Sequence, residues 1–151
     1  AILNRGTSGV LALSGDDNYP YAVPVSYAYD GYKLYFHCAK SGHKIDAIRR
    51  NAKASFCVID QDLVVPEEYT SYFRSIIAFG TIRILEDSQE KREAIEKLAV
   101  KYAPDDNDAH RQAAIDRDWV PLCMLEMTIE HMTGKEAKEL IKEKQQRNKS
   151  C

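Results

Sequence analysis

Little in this chain announces a specialised chemistry. Its four cysteines, Cys38, Cys57, Cys123 and Cys151, form no CxxC pair. That spacing removes a zinc knuckle and a thioredoxin-like dithiol. Cys38, Cys57 and Cys123 fall inside apolar strand patterns and read as buried free thiols of a reducing compartment. There is no GxGxxG string, so a nicotinamide cofactor has no dedicated fold-level site. No apolar run approaches the ~20 residues that span a bilayer. The opening, AILNRGTSG, lacks the charged-then-apolar order of a signal peptide, and it lacks an initiator Met. Its first residues read as the last turn of a helix entered midway, with further residues expected upstream. A formal charge of −2 excludes a general nucleic-acid binder. The expectation is a cytoplasmic protein with neither nucleic acid nor membrane as partner.

What is present suits one domain over residues 1–151. An apolar fraction of 44% is ordinary for a globular chain. Residues 8–14 read as a strand and 15–18 as a turn. Residues 21–29 are β-rich, and Asp30-Gly31 returns the chain into 32–38 as a hairpin. Pro24 demotes its segment to an edge, a bulge, or a place where a ligand meets unpaired backbone. A helix over 42–50 precedes a strand at 53–60 and a polar loop at 61–68. Residues 69–85 form one strand, or two broken at Gly80. Asp87 and Glu90 have capping-box spacing and open a helix to Tyr102. The polar stretch 105–118 holds a short helix over 110–115. Residues 121–129 read as the last strand, and a second capping box, Thr133 and Glu136, opens a terminal helix. The sum is an α+β fold: about six strands, mostly antiparallel, in a small barrel with flanking helices.

The stretch LYFHCAKSGHKIDAIRR, Leu34 to Arg50, says most about function. Leu34, Phe36 and Cys38 alternate with Tyr35 and His37, the period of a half-buried strand. Ser41, a candidate N-cap, and Gly42 then start the helix. Helix first turns favour acids, because exposed N–H groups make that end positive. Here the first turn carries His43 and Lys44, with Lys40 just before. Charge alone leaves two readings: a bound anion such as phosphate, held by backbone N–H groups and Lys44, or a solvated basic turn.

The ordered set PYAVPVSYAYDGYKLYFHCAKSGHK, YFRSIIAFGTIRILED and MTIEHMTGK resembles the pyridoxamine-5′-phosphate-oxidase-like FMN-binding split barrels. Within them it is most similar to the nitroimidazole-resistance (Nim) flavoproteins. The most specific strings are YFHxAxxGxK (Tyr35, Phe36, His37, Ala39, Gly42, Lys44) and YxRSxxxxG (Tyr72, Arg74, Ser75, Gly80). The resemblance implies a homodimer with FMN at the interface. Pro24, Val25, Ser26 and Tyr27 would offer backbone groups to the flavin ring. His37, Cys38 and Ala39 would line the ring and phosphate arm, and His43 and Lys44 would hold the phosphate. Ser75 falls where those oxidases place a glutamine on the flavin, and serine is shorter. His37 matches a histidine that Nim proteins set beside the flavin, on the substrate side. The Trp and Arg elements that hold pyridoxamine phosphate have no counterpart near the C-terminus, so FMN carries over and pyridoxamine oxidation does not.

Two functions remain open at this point. One is an FMN-dependent oxidoreductase passing electrons from a small-molecule donor to a small electrophile such as a nitroaromatic, with His37 as its catalytic residue. The other is a flavin- or haem-binding module for storage or sensing. Trp119 reads equally as a lid over the flavin or as a plug of the barrel mouth. Tyr69, Tyr72, Phe73 and Ile76 are expected at the dimer interface.

Overall fold

The computed structural model describes residues 1–149, without the side chain of Lys149; Cys151 lies outside the described residues. The order is α1 (Ile2–Arg5), β1 (Ser8–Ser14), β2 (Pro20–Ser26), β3 (Ala28–Tyr29), β4 (Lys33–Ala39), α2 (His43–Arg50), β5 (Lys53–Val65), β6 (Thr70–Ile84), α3 (Ser88–Tyr102), α4 (Asp108–Asp118), β7 (Leu122–Glu136) and α5 (Lys138–Lys149). The strands form one sheet in the order β2-β1-β5-β6-β7-β4-β3, and every ladder is antiparallel. The first and last strands of that order are neighbours in the chain, with only Tyr27 between them. The sheet must therefore roll until its two edges meet, which makes an α+β split barrel.

Alternation along the strands fills the interior. Leu11, Leu34, Phe36, Phe56, Val58, Ile82, Leu125 and Met127 are buried there, and Ile45 and Ile48 of α2 join the same core. Phe56 meets Tyr27 and Phe36 edge to face, at centroid distances of 4.9 and 5.1 Å. A second, smaller cluster lies outside the barrel. Tyr35 and Met124 pack there beneath Ala94 and Leu98 of α3. The helix thus buries the face of β4 that simple alternation would leave wet. No helix among the described residues is long and apolar enough to cross a membrane.

Several expectations need correction. Seven strands replace six, because Tyr27 is fully buried and breaks 21–29 into β2 and β3 on opposite sheet edges. Residues 61–65 are not loop. They continue β5 past a bulge near Ile59, and Asp62 to Val65 pair with Phe73 to Thr70 of β6. A two-stranded arm wet on both faces accepts polar residues, so periodicity gave no strand signal. Thr133 and Glu136 do not cap a helix. They extend β7 opposite Ile77 and Arg74, and Glu136 takes the Arg74 guanidinium at 2.6 Å. Ser41 does not cap α2; Gly42 stands there at φ +126 with no side-chain cap bond. α4 is longer than 110–115 because Asn107 caps it, accepting from the His110 N–H at 2.8 Å. Asp87 does cap α3, accepting from Gln89 and Glu90 N–H groups. Ile76 is half-buried and packs partly against the core.

Gly80 does not break β6. The register shifts between Phe79 and Gly80 against β7, and a Cβ on Gly80 would lie 1.9 Å from the Thr128 carbonyl oxygen. Neither backbone can yield without parting the strands. Gly80→Ala is therefore expected to destabilise the fold by about 3 kcal/mol, at the upper end of overpacking costs. Urea unfolding measures this, and an unchanged midpoint refutes the close approach.

Candidate functional site

The barrel is split where β2 faces β4. β2 ends the sheet on one side. β4 pairs with β7 along its length, but with β3 only at Leu34 and Tyr35. Phe36 to Ala39 and β2 therefore face one another with no ladder between them, a strip of backbone donors and acceptors free for a ligand. Along β2, Val25 packs against the core, while Pro24 is exposed and Ser26 half-exposed. Along β4, Cys38 packs inward and His37 is exposed.

Ser26 and His37 open onto a cleft of about 420 Å³ whose other walls are α3, α4 and Leu122. Leu98 and Ile115 give it an apolar lining, and Asp106, Arg111 and Asp118 bring charge. This wall is not legible in the sequence. Asn107 was a capping signal in plain view, but nothing in the spacing of 108–118 said which barrel face the helix would cover.

At the end of β4 the chain enters α2. His43 stacks on Tyr21 at 5.5 Å, and its Nε2 lies 3.3 Å from Asp16. Asp16 also holds Arg50 at 2.8 Å. Asp46 adds an acid to the same first turn. The basic turn is thus partly compensated, more than its sequence suggested. Lys44 is different: it is half-buried and has no hydrogen bond or ion pair to another described residue. Lys91 of α3 adds to the positive field. Burial, and then nearby Lys40, hold its ammonium below the ordinary lysine range, while its Nζ donates to the Trp119 carbonyl at 3.0 Å. Trp119 lies against α3, with Lys91 Nζ 4.2 Å above its ring.

Tyr27 is differently engaged. Its hydroxyl donates to the Leu3 carbonyl (2.9 Å), its N–H to the Tyr102 hydroxyl (3.0 Å), and its carbonyl accepts from Lys101 (2.9 Å). Both backbone groups are already used within the chain. Ser75 is distant. It sits opposite Lys135 of β7, whereas Cys38 sits opposite Cys123. Twelve residues separate those β7 positions, roughly 40 Å of extended strand. One chain therefore gathers Pro24, Val25, Ser26, His37, Cys38, Ala39, His43 and Lys44 along the split, and leaves Ser75 elsewhere. Among the described residues no cluster could hold a metal ion.

The model of the pyridoxamine 5′-phosphate oxidase family matches residues 1–136. The chain belongs to that family. No curated protein matches it. Among solved structures, it is similar to a Bacteroides thetaiotaomicron protein described as a 5-nitroimidazole antibiotic resistance protein. The TM-score is 0.71 at 22% identity, over 88% of this chain and 78% of that one. A Mesorhizobium loti FAD-binding protein matches with TM-score 0.66 at 22% identity, over 91% of both chains. A FAD and haem binding protein of Mycobacterium smegmatis matches with TM-score 0.72 at 20% identity, over 91% of this chain and 68% of that one. These likenesses share the split barrel of the pyridoxamine 5′-phosphate oxidase family.

The Cys38 thiol borders the split but is no nucleophile. Burial, then Cys123 opposite it, push it from 9.0 up to about 12. The folded state thus keeps a proton that the unfolded chain releases near pH 9. The stabilisation is complete below about pH 9 and is lost as pH rises toward 12. Site-resolved mass spectrometry after iodoacetamide at pH 8 is expected to find Cys38 unmodified in native protein and modified in urea; rapid native labelling contradicts this.

Proposed function

We propose that this chain is an FMN-binding oxidoreductase of the cytoplasm, working as a homodimer. The flavin phosphate lies at the β4–α2 turn and its ring along the split beside His37. The observation that carries this is Lys44: a half-buried cation without a partner, at an uncapped helix start, where the unpaired strip between β2 and β4 ends. A lysine beside a helix start whose N–H groups lack a side-chain cap forms, with those groups, a ready site for an anion. FMN bound there would supply electron or hydride transfer. The chain's own part is to hold the phosphate with Lys44 and α2 N–H groups, and to meet the ring with backbone groups of Pro24 to Ser26 and of His37 to Ala39. His37, exposed at the cleft mouth, would orient or protonate the acceptor. Flavin-binding solved structures of the same fold support the cofactor. The nitroimidazole-resistance description of one of them supports a small electrophile, such as a nitroaromatic, as acceptor.

A second copy fits the outer face of the sheet. Pro24, Val10, Cys57 and Ile77 lie in one cross-strand row by register, flanked by Ile59 and Phe79, which are 66% and 41% exposed. So wide an apolar row across four strands suits a two-fold interface. A partner there could also bring residues of the β5–β6–β7 region, Ser75 included, to this chain's flavin.

Two substitutions divide the labour. Lys44→Ala is expected to weaken FMN roughly ten- to hundredfold, the worth of one charge-assisted hydrogen bond, and to leave riboflavin almost untouched. His37→Ala should keep flavin occupancy while lowering turnover with a nitroaromatic acceptor. Fluorescence titration with both flavins and steady-state reduction measure these. Equal losses for FMN and riboflavin, or loss of flavin from His37→Ala, contradict the assignment. In sedimentation at micromolar concentration, wild type is expected to run as a dimer and Phe79→Asp as a monomer; a monomeric wild type with flavin bound removes the dimer.

A further inference from the structure

The cleft between the barrel and α3/α4 holds a group that the flavin reading does not use. Arg111 lines it, and only 16% of its side chain is exposed. The guanidinium reaches the Asp108 carboxylate by one long contact of 3.4 Å, and the Asp106 carbonyl at 2.9 Å. Its Nε–H is buried with no partner, the one such side-chain atom among the described residues. A buried donor left without an acceptor is costly, more so on a charged group. The carboxylates of the two acids that line the cleft meet other side chains: Asp106 the His110 ring at 2.8 Å and Asp118 the Arg117 guanidinium at 3.0 Å. Arg111 is left as the cation lacking a good carboxylate. Around it the walls are Leu98, Ile115 and Leu122, with Ser26 and His37 toward the split.

We propose that this cleft binds a small apolar carboxylate, with Arg111 as its anchor. A small turn of the guanidinium loosens the 3.4 Å contact of Nη1 with Asp108 and presents Nε–H and one Nη2–H to the two carboxylate oxygens, the other Nη2–H staying with the Asp106 carbonyl; this is the planar fork that arginine offers best. The apolar body fills the space between Leu98, Ile115 and Leu122. Ligand pockets of this kind pair a mostly apolar lining with a few polar groups that fix orientation. That the bound acid is the electron acceptor, set beside His37, rests on the flavin reading; the binding itself does not.

Isothermal titration of the purified protein tests this with benzoate, neutral benzamide and acetate as probes, flavin occupancy being read by absorbance in the same sample. Benzoate is expected to bind about tenfold or more tighter than either of the others, since one probe lacks the charge and the other the apolar body. Arg111→Gln should lower benzoate affinity about tenfold and move benzamide by less than about twofold. Arg111→Lys, which keeps the charge and the helix propensity but loses the fork, should weaken benzoate in the same direction and answers for Arg111→Gln if that variant does not fold. Equal affinity for benzoate and benzamide, unchanged benzoate binding in both variants, no binding of any probe, or displacement of flavin by benzoate overturns the proposal. A sample without flavin that still discriminates benzoate sinks the flavin reading and keeps the cleft. A flavin-loaded sample without discrimination does the reverse.

Discussion

Tyr27 closes the barrel, and the split exists because of how it does so. One residue joins strands on opposite edges of a seven-stranded sheet, so the backbone must leave one edge and enter the other within a single step. Backbone groups at such a corner have no ladder partner, and burying them unpaired would be unfavourable. The structure answers with side chains from far away in sequence. Tyr102 accepts the Tyr27 N–H, Lys101 donates to its carbonyl, and the Tyr27 hydroxyl reaches back to Leu3. Lys101 also donates to the Gly6 carbonyl and lies 3.8 Å above the Tyr27 ring. Burial pushes the Tyr27 hydroxyl up to about 12, with Tyr102 as a lesser cause, and holds the Lys101 ammonium below its ordinary range. Their hydrogen bonds tie the corner to α1 and α3.

That clamp has a second consequence. Lys101 and Tyr102 are the last residues of α3, so fastening the corner also fastens the helix against the outer face of β4. The cleft beside His37 is the space left between that helix, α4 and the barrel. Further ties hold the same layer. Glu126 of β7, buried outside the barrel, receives both Lys33 and Arg83 at 3.0 Å, and Arg83 continues to Glu90 of α3. Arg92 then joins α3 to Asp116 of α4 at 2.6 Å. The proposed ligand-binding face is thus built on strands, and its cover is a pair of helices held by charge.

The lone glycine at an α2 start and the lone lysine after it act together. Gly42 takes a positive φ that a side chain would resist, which turns β4 sharply into the helix. No side chain caps the opened N–H groups. Had Ser41 capped them, as its residue type suggested, the helix start would have been satisfied internally and closed to an anion. Asp16 meets His43 and Arg50, while Lys44, half-buried, and Lys40, exposed, keep no acidic partner among the described residues, so the positive charge of the turn rests on these two lysines.

Alternation, turn residues and capping pairs were enough, on the sequence alone, to establish the strand–turn–helix of 34–50, the hairpin around Asp30-Gly31, the Asp87 cap and the α+β class. These rest on contacts within a few residues, which spacing encodes directly. The family was legible from the ordered set of segments, of which YFHxAxxGxK is the most specific, because each segment lies on one local unit and chain order is read directly from sequence. Strand order could not be read, because nothing local says that β2 and β3 sit on opposite edges. The arm at 61–65 and the end of β7 were missed because strands wet on both faces lose their period. Tyr27 looked like one more strand residue until its partners, 75 positions away, came into view. Arg111 showed its character only after folding. Any helix can carry an arginine; one whose Nε–H is buried and unpaired exists only when helix and barrel close over it.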